Sequence, residues 1–204
     1  MTIVNVSALV FTYEEKILAD DPSFVFRTYA DEELCSLLGE IPKRWGRMPA
    51  LSRLLLVEAG SLLVRSGILK AGEKCSEKGR CLGLVGGTRW GCLYTDRQFI
   101  ASMQRGEGLA SPALFGYTLP NSPLAEVAVQ FGLTGPVYAV FDQEAPRTRA
   151  VEEAKRLLDF HPELYGMLAG EFLEEDGEQL QVNLTIVARD VEDYAGLSKM
   201  EQDS

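Results

Sequence analysis

The stretch from Ser122 to Pro136 constrains this chain more tightly than any other. Ser122 reads as a helix N-cap, Pro123 as the first helical residue and Gly132 as the residue just past the end. Serine can accept an orphan amide bond, proline has no amide to lose at that position, and glycine enters the left-handed conformation without strain. Between these brackets Leu124, Val127, Ala128 and Phe131 recur at helical spacing, so one helix face must be buried. The segment Gly132-Leu-Thr-Gly-Pro136 then leads into Pro136–Phe141, an apolar run of strand length. A helix delivered by a short turn into a buried strand points to layers of helix and sheet.

The rest of the chain continues that alternation. Thr2–Phe11 and Phe24–Tyr29 read as strands, Asp31–Leu38 as a short helix stopped by Gly39, and Pro42–Met48 as a basic loop carrying Trp45. Pro49–Ser66 is a long helix capped by Gly67. Leu51, Leu55, Ala59 and Leu62 form one stripe, but Leu56, Val57 and Val64 fall outside it, so burial on more than one side is expected. Lys70–Arg80 is a polar connection and Cys81–Gly87 a buried strand. Thr95 with Gln98 has the capping-box pattern, opening a helix whose Phe99, Ile100 and Met103 share a face before Gly106. Arg147–Phe160 is a helix, and Leu164–Phe172 with Gln179–Ala188 is a hairpin around Asp176-Gly177. This order predicts an α/β domain with a mixed sheet over residues 1–190. Residues 191–204 form an acidic tail expected to be frayed.

Composition removes several function classes. Lys and Arg number 20 against 30 Asp and Glu, a formal net charge of −10, which argues against nucleic acid as the main partner. Residues 1–151 balance 16 basic with 16 acidic side chains, so the whole excess lies in 152–204 with 4 and 14. The longest apolar runs, Leu51–Val64 and Cys81–Gly87, are broken by charges or glycines, and no membrane span is expected. Met1–Phe11 lacks a basic leader region, which predicts a cytoplasmic protein. Cys35, Cys75, Cys81 and Cys92 have no CxxC spacing and no nearby histidine. Reduced thiols are expected, with no metal and no cofactor.

Ser111-Pro-Ala-Leu-Phe-Gly-Tyr-Thr-Leu-Pro-Asn121, the Ser122–Phe131 helix and the Gly-Leu-Thr-Gly-Pro136 turn together resemble the N-terminal half of β-ketoacyl synthases and their chain-length-factor relatives. Arg47-Met-Pro-Ala-Leu-Ser-Arg53 and Gly83-Leu-Val-Gly-Gly-Thr88 extend the likeness, over roughly residues 45–170. The resemblance implies half of a thiolase-like fold: a mixed five-stranded sheet with helices on both faces, normally duplicated within one chain. It also implies a nucleophilic cysteine eight positions after the proline of the turn. Counting from Pro136 places Glu144 there, with Gln143 as its neighbour, and a carboxylate cannot carry thioester exchange as a thiolate does. The family's two active-site histidines belong to the other half, and the single histidine, His161, cannot stand in for both.

Plainer readings accompany the remaining motifs. Gly83 to Gly91 has no phosphate-loop order and is expected to serve close packing. Cys92 reads as a small buried hydrophobe, His161 as a helix C-terminal group, and Glu171, Glu174, Glu175, Asp176 and Glu178 as a solvated hairpin tip. On the Arg147–Phe160 helix, Ala150, Val151, Ala154, Leu157 and Leu158 form the inward stripe. Arg149, Glu152, Glu153 and Arg156 are expected outside, which favours a half-length protein over a fragment.

The resulting expectation is a catalytically inactive ketosynthase-like partner subunit in fatty-acid or polyketide-type biosynthesis. It would pair with a full-length ketosynthase or with itself as a dimer. An acyl carrier protein is a lesser candidate because both chains would be acidic. By the resemblance, the contact residues are Leu114, Phe115 and Thr118 in the loop, and Val137, Tyr138 and Phe141 on a strand whose edge should be open. The alternative is a small acyl-binding or acyl-transfer enzyme using Cys92 or Glu144.

Overall fold

The computed structural model describes residues 2–4, 31–104, 110–175 and 179–188. Four strands make a mixed sheet: β2 (Leu82–Thr88), β3 (Val137–Phe141), β4 (Gly166–Glu175) and β5 (Gln179–Ala188). A three-residue β1 (Thr2–Val4) adds at one edge, giving the order β1-β5-β4-β2-β3. β2 runs parallel to both β3 and β4, while β5 is antiparallel to β4 and to β1. The expected Phe24–Tyr29 strand, the hairpin tip at Asp176-Gly177 and the tail at 191–204 lie outside the described residues, as does the expected continuation of the first strand to Phe11.

Helices cover both faces. One face carries α1 (Asp31–Leu38), α2 (Ala50–Arg65) and α5 (Asn121–Phe131), packed with Leu82, Leu84, Phe172, Val182 and Leu184 into the larger core. The other carries α6 (Pro146–Phe160), whose Ala150, Ala154, Leu157 and Leu158 meet Val85, Met167, Ala169 and Val187. α3 (Leu93–Met103) and the short α4 (Pro112–Phe115) follow β2 and lead towards α5. Almost every residue from Ala50 to Leu63 in α2 is buried, as its scattered apolar positions required.

Two glycines of β2 serve close packing, one on each face. A Cβ on Gly87 would lie 1.9 Å from the Pro146 carbonyl oxygen, so α6 starts directly on the strand. On the other face, a Cβ on Gly86 would come within 2.6 Å of the Phe172 ring. Glycine is therefore required at both by contact.

Two helix starts differ from the sequence reading. α5 opens at Asn121 with Pro120 at the cap position, one residue before Ser122. α3 opens at Leu93 with Cys92 at the cap position, which leaves Thr95 inside the first turn with a different acceptor for its hydroxyl.

Candidate functional site

The turn between β3 and α6 is shaped by Asp142. Its Oδ1 accepts from the Glu144 amide at 2.9 Å and the Ala145 amide at 2.8 Å, and these bonds hold its carboxyl below the usual range. Two amides that this helix mouth would offer to a thiolate or an oxyanion are thus taken by the chain's own carboxylate. Glu144 and Gln143 are exposed, and Gln143 Nε2 donates to the Arg89 carbonyl at 3.0 Å. His161 caps the far end of α6, about 22 Å of helix away, with Nδ1 2.9 Å from Glu163 Oε1.

Two of the thiols are buried and held protonated. All four cysteines are free, and Cys92 and Cys75 are buried. Burial pushes the Cys75 thiol up to about 11 and the Cys92 thiol far up, with Glu174 and Asp96 adding to the effect at Cys92. Among the described residues, no group of His, Cys, Asp and Glu is placed to hold a metal ion.

β3 forms the other edge of the sheet. The Leu84 amide donates to the Pro136 carbonyl and the Asp142 amide to the Thr88 carbonyl, which fixes the alternation between them. The amides of Tyr138 and Val140 therefore face β2, and those of Val137, Ala139 and Phe141 face outward. The edge is not wholly open: the central outward amide, Ala139, donates to Asn121 Oδ1 at 2.8 Å. A Cβ on Gly91 would lie 3.7 Å from the Phe141 ring and 3.8 Å from Pro120, so the turn after β2 and the start of α5 lie beside the end of this edge. Phe141 is 58% exposed, Trp90 54%, Leu119 65% and Phe115 62%. Thr118 is half-buried, its hydroxyl donating to the Phe115 carbonyl at 2.8 Å. Phe115 also stacks obliquely on Phe99, with ring centroids 5.4 Å apart. Of the expected contact residues, Phe141 stands at the C-terminal end of β3 and Val137 at its N-terminal end, packed against the larger core, while Phe115 and Thr118 lie in and just after α4. Leu114 is half-buried and turns into a recess instead.

Two glutamates expected in solvent are buried. Glu153 accepts from the Tyr138 hydroxyl and from Arg156, whose Nε lies 2.9 Å and Nη2 2.6 Å away. The Arg156 bonds, followed by the Tyr138 bond, lower its carboxyl to about 2. Val151, expected inward, is only partly buried. Glu174, expected at a solvated tip, is 2% exposed on β4. Its Oε2 accepts from the Thr95 amide and its Oε1 from the Thr95 hydroxyl, both at 3.2 Å. Burial raises this carboxyl to about 7, against the pull of the Thr95 bonds. Burial likewise brings Glu58 in α2 to about 7. Glu174 lines a recess of about 250 Å3 with Arg47, Arg53, Tyr94, Thr95 and Leu114.

A parallel β2–β3–β4 core, helices on both faces and a glycine-led turn into an edge strand define half of a thiolase-like fold. The family model of the β-ketoacyl synthase N-terminal domain matches residues 25–157, and the chain belongs to this family. Solved structures with the same fold include the ishigamide ketosynthase/chain length factor, at 18% identity and TM-score 0.59, matching 76% of this chain and 47% of that one. A ketosynthase (ApeO) in complex with its chain length factor (ApeC) from Xenorhabdus doucetiae matches at 18% identity and TM-score 0.53, over 74% and 62% of the two chains. A β-ketoacyl synthase from Burkholderia phymatum matches at 14% identity and TM-score 0.57, over 76% and 46%. This chain thus spans between 46% and 62% of the length of those relatives. No curated protein matches it.

Proposed function

We propose that this chain is a catalytically inactive ketosynthase-like subunit that docks on a full-length ketosynthase in fatty-acid or polyketide-type biosynthesis. The observation that carries the reading is the pairing of two features at one end of the sheet. At the turn where the family resemblance places a cysteine, the chain has exposed Glu144, with Asp142 taking the nearby helix-mouth amides. Phe141 at the end of β3 is exposed, as are Trp90, Phe115 and Leu119 on the segments between β2 and α5. An apolar surface next to an edge strand is suited to another protein chain. The chain-length-factor complexes among its structural relatives support a ketosynthase as that chain.

The test combines purified chain with the purified full-length ketosynthase of its host in analytical ultracentrifugation. A one-to-one complex is expected, lost in Phe141→Asp and in Leu119→Asp. Sedimentation as a self-dimer indifferent to the ketosynthase would replace the reading with a homodimer, and a monomer indifferent to it would end the docking proposal. Alone, the chain should neither condense nor decarboxylate malonyl thioesters. Turnover abolished by Glu144→Ala would overturn the inactive assignment.

A further inference from the structure

The recess lined by Glu174 lies between the Trp45–Pro49 turn, the start of α2 and the first turn of α3, and the docking surface does not use it. Arg47 and Arg53 line it together with Glu174, Tyr94 and Gln98, and the Arg53 guanidinium lies 5.9 Å from the centre of the Trp45 ring. Both oxygens of the carboxyl accept from Thr95, which fixes its position in the wall. Asp96 and Cys92 approach the same acid from α3; the Cys92 thiol stays protonated, and burial also raises the Asp96 carboxyl. Glu174 itself is held near 7 by burial. Two arginines therefore face a Glu174 carboxyl that burial keeps largely protonated below about pH 7, within a chain whose formal net charge is −10.

The remaining wall is apolar, built from Met48, Pro49, Ala50 and Leu114. The planar fork of an arginine matches a carboxylate. A volume of about 250 Å3 admits a small molecule. Two acids close by, Glu174 and Asp96, disfavour a ligand with more than one negative charge.

We propose that this recess binds a small monocarboxylate, with Arg47 and Arg53 taking the carboxylate and Met48, Pro49 and Leu114 its apolar end. Hexanoate is the probe, titrated calorimetrically into the full chain at about pH 6, with hexanol, hexylamine and inorganic phosphate as comparisons. Hexanoate should bind at least about tenfold more tightly than each of the others, about 1.4 kcal/mol. Arg47→Gln changes an exposed side chain, leaves the fold intact by circular dichroism, and should weaken hexanoate about tenfold. Going from about pH 6 to about pH 8 should weaken binding as the Glu174 carboxyl ionises and repels the ligand, and Glu174→Gln should flatten that dependence. Four results would each overturn the proposal: hexanol or hexylamine equalling hexanoate, phosphate binding in its place, no heat with any probe, or unchanged affinity in Arg47→Gln.

Discussion

On the α6 face of the sheet Glu153 is held by Arg156 and the Tyr138 hydroxyl, and its carboxyl falls to about 2. On the opposite face Glu174 is held by Thr95, and its carboxyl rises to about 7. Burial and partner act together: the Glu174 carboxyl is deeply desolvated and only neutral donors offset that loss, whereas the Glu153 carboxyl is far less desolvated and a guanidinium stabilises its charge. The mechanical consequence differs as well. Glu153 ties α6 to the edge strand with an ionic clamp, and Glu174 ties the first turn of α3 to β4 with a joint that works with or without its charge.

The largest effects should appear on the α6 face. Leu158 is fully buried against the sheet, and Leu158→Ala should cost about 2–5 kcal/mol in urea unfolding. Glu153→Ala, harmless if that residue faced water, should cost about 1–2 kcal/mol because it removes the acceptor of the Tyr138 and Arg156 bonds. A loss near zero at Glu153 would erase the contrast between the two faces.

A pH series sharpens the same contrast because the two carboxyls have opposite signs. Glu174 and Glu58 take up protons more readily in the folded chain than at their ordinary value of 4.5. Their stabilising contribution is complete below about 4.5 and is lost as pH rises towards 7, by up to about 3 kcal/mol for Glu174. Glu153 does the reverse: its contribution is present above 4.5 and is lost as pH falls towards 2. Unfolding free energy measured from pH 3 to pH 8 should decline between 4.5 and 7, and Glu174→Gln should shallow that decline. An unchanged slope in the variant would show that Glu174 does not titrate in this window.

The order of helices and strands was legible because periodicity records it, although the caps expected at Ser122 and Thr95 fall inside their helices, and the resemblance supplied the half-fold. The two buried glutamates were legible as well, had position outranked residue type. Leu168, Gly170, Phe172 and Glu174 alternate along one face of β4, and Glu174 lies opposite Leu180 of β5 just as Phe172 lies opposite Val182. The acidic run around Glu174 read as solvated because charge density was weighed over strand parity. Glu153 lies only about 60° around the helix from Ala150 and about 40° from Leu157, on the flank of the inward stripe. Val151 lies about 100° from Ala150 and is partly buried. What sequence could not supply is the partner: Arg156 follows Glu153 by three residues, but Tyr138, Thr95 and Asn121 reach their acceptors or donors only through the tertiary fold.

Asn121 offers the smallest expected effect and the most direct probe of the β3 edge. Tyr138 secures this strand to Glu153 on the α6 face, while the Asn121 side chain accepts the amide of Ala139 from the α5 side. Any partner strand paired in register across the middle of β3 must displace Asn121, because it needs that same amide. Asn121→Ala should therefore lower unfolding stability by about 0.5–1.5 kcal/mol, the net worth of one hydrogen bond, and increase association through the freed edge. Sedimentation alone and with the ketosynthase reads the second effect. Tighter association in the variant would mean that Asn121 guards an edge used for strand addition. Unchanged association with the same stability loss would place docking on the Phe141 and Leu119 side chains, with the backbone of β3 left to Asn121.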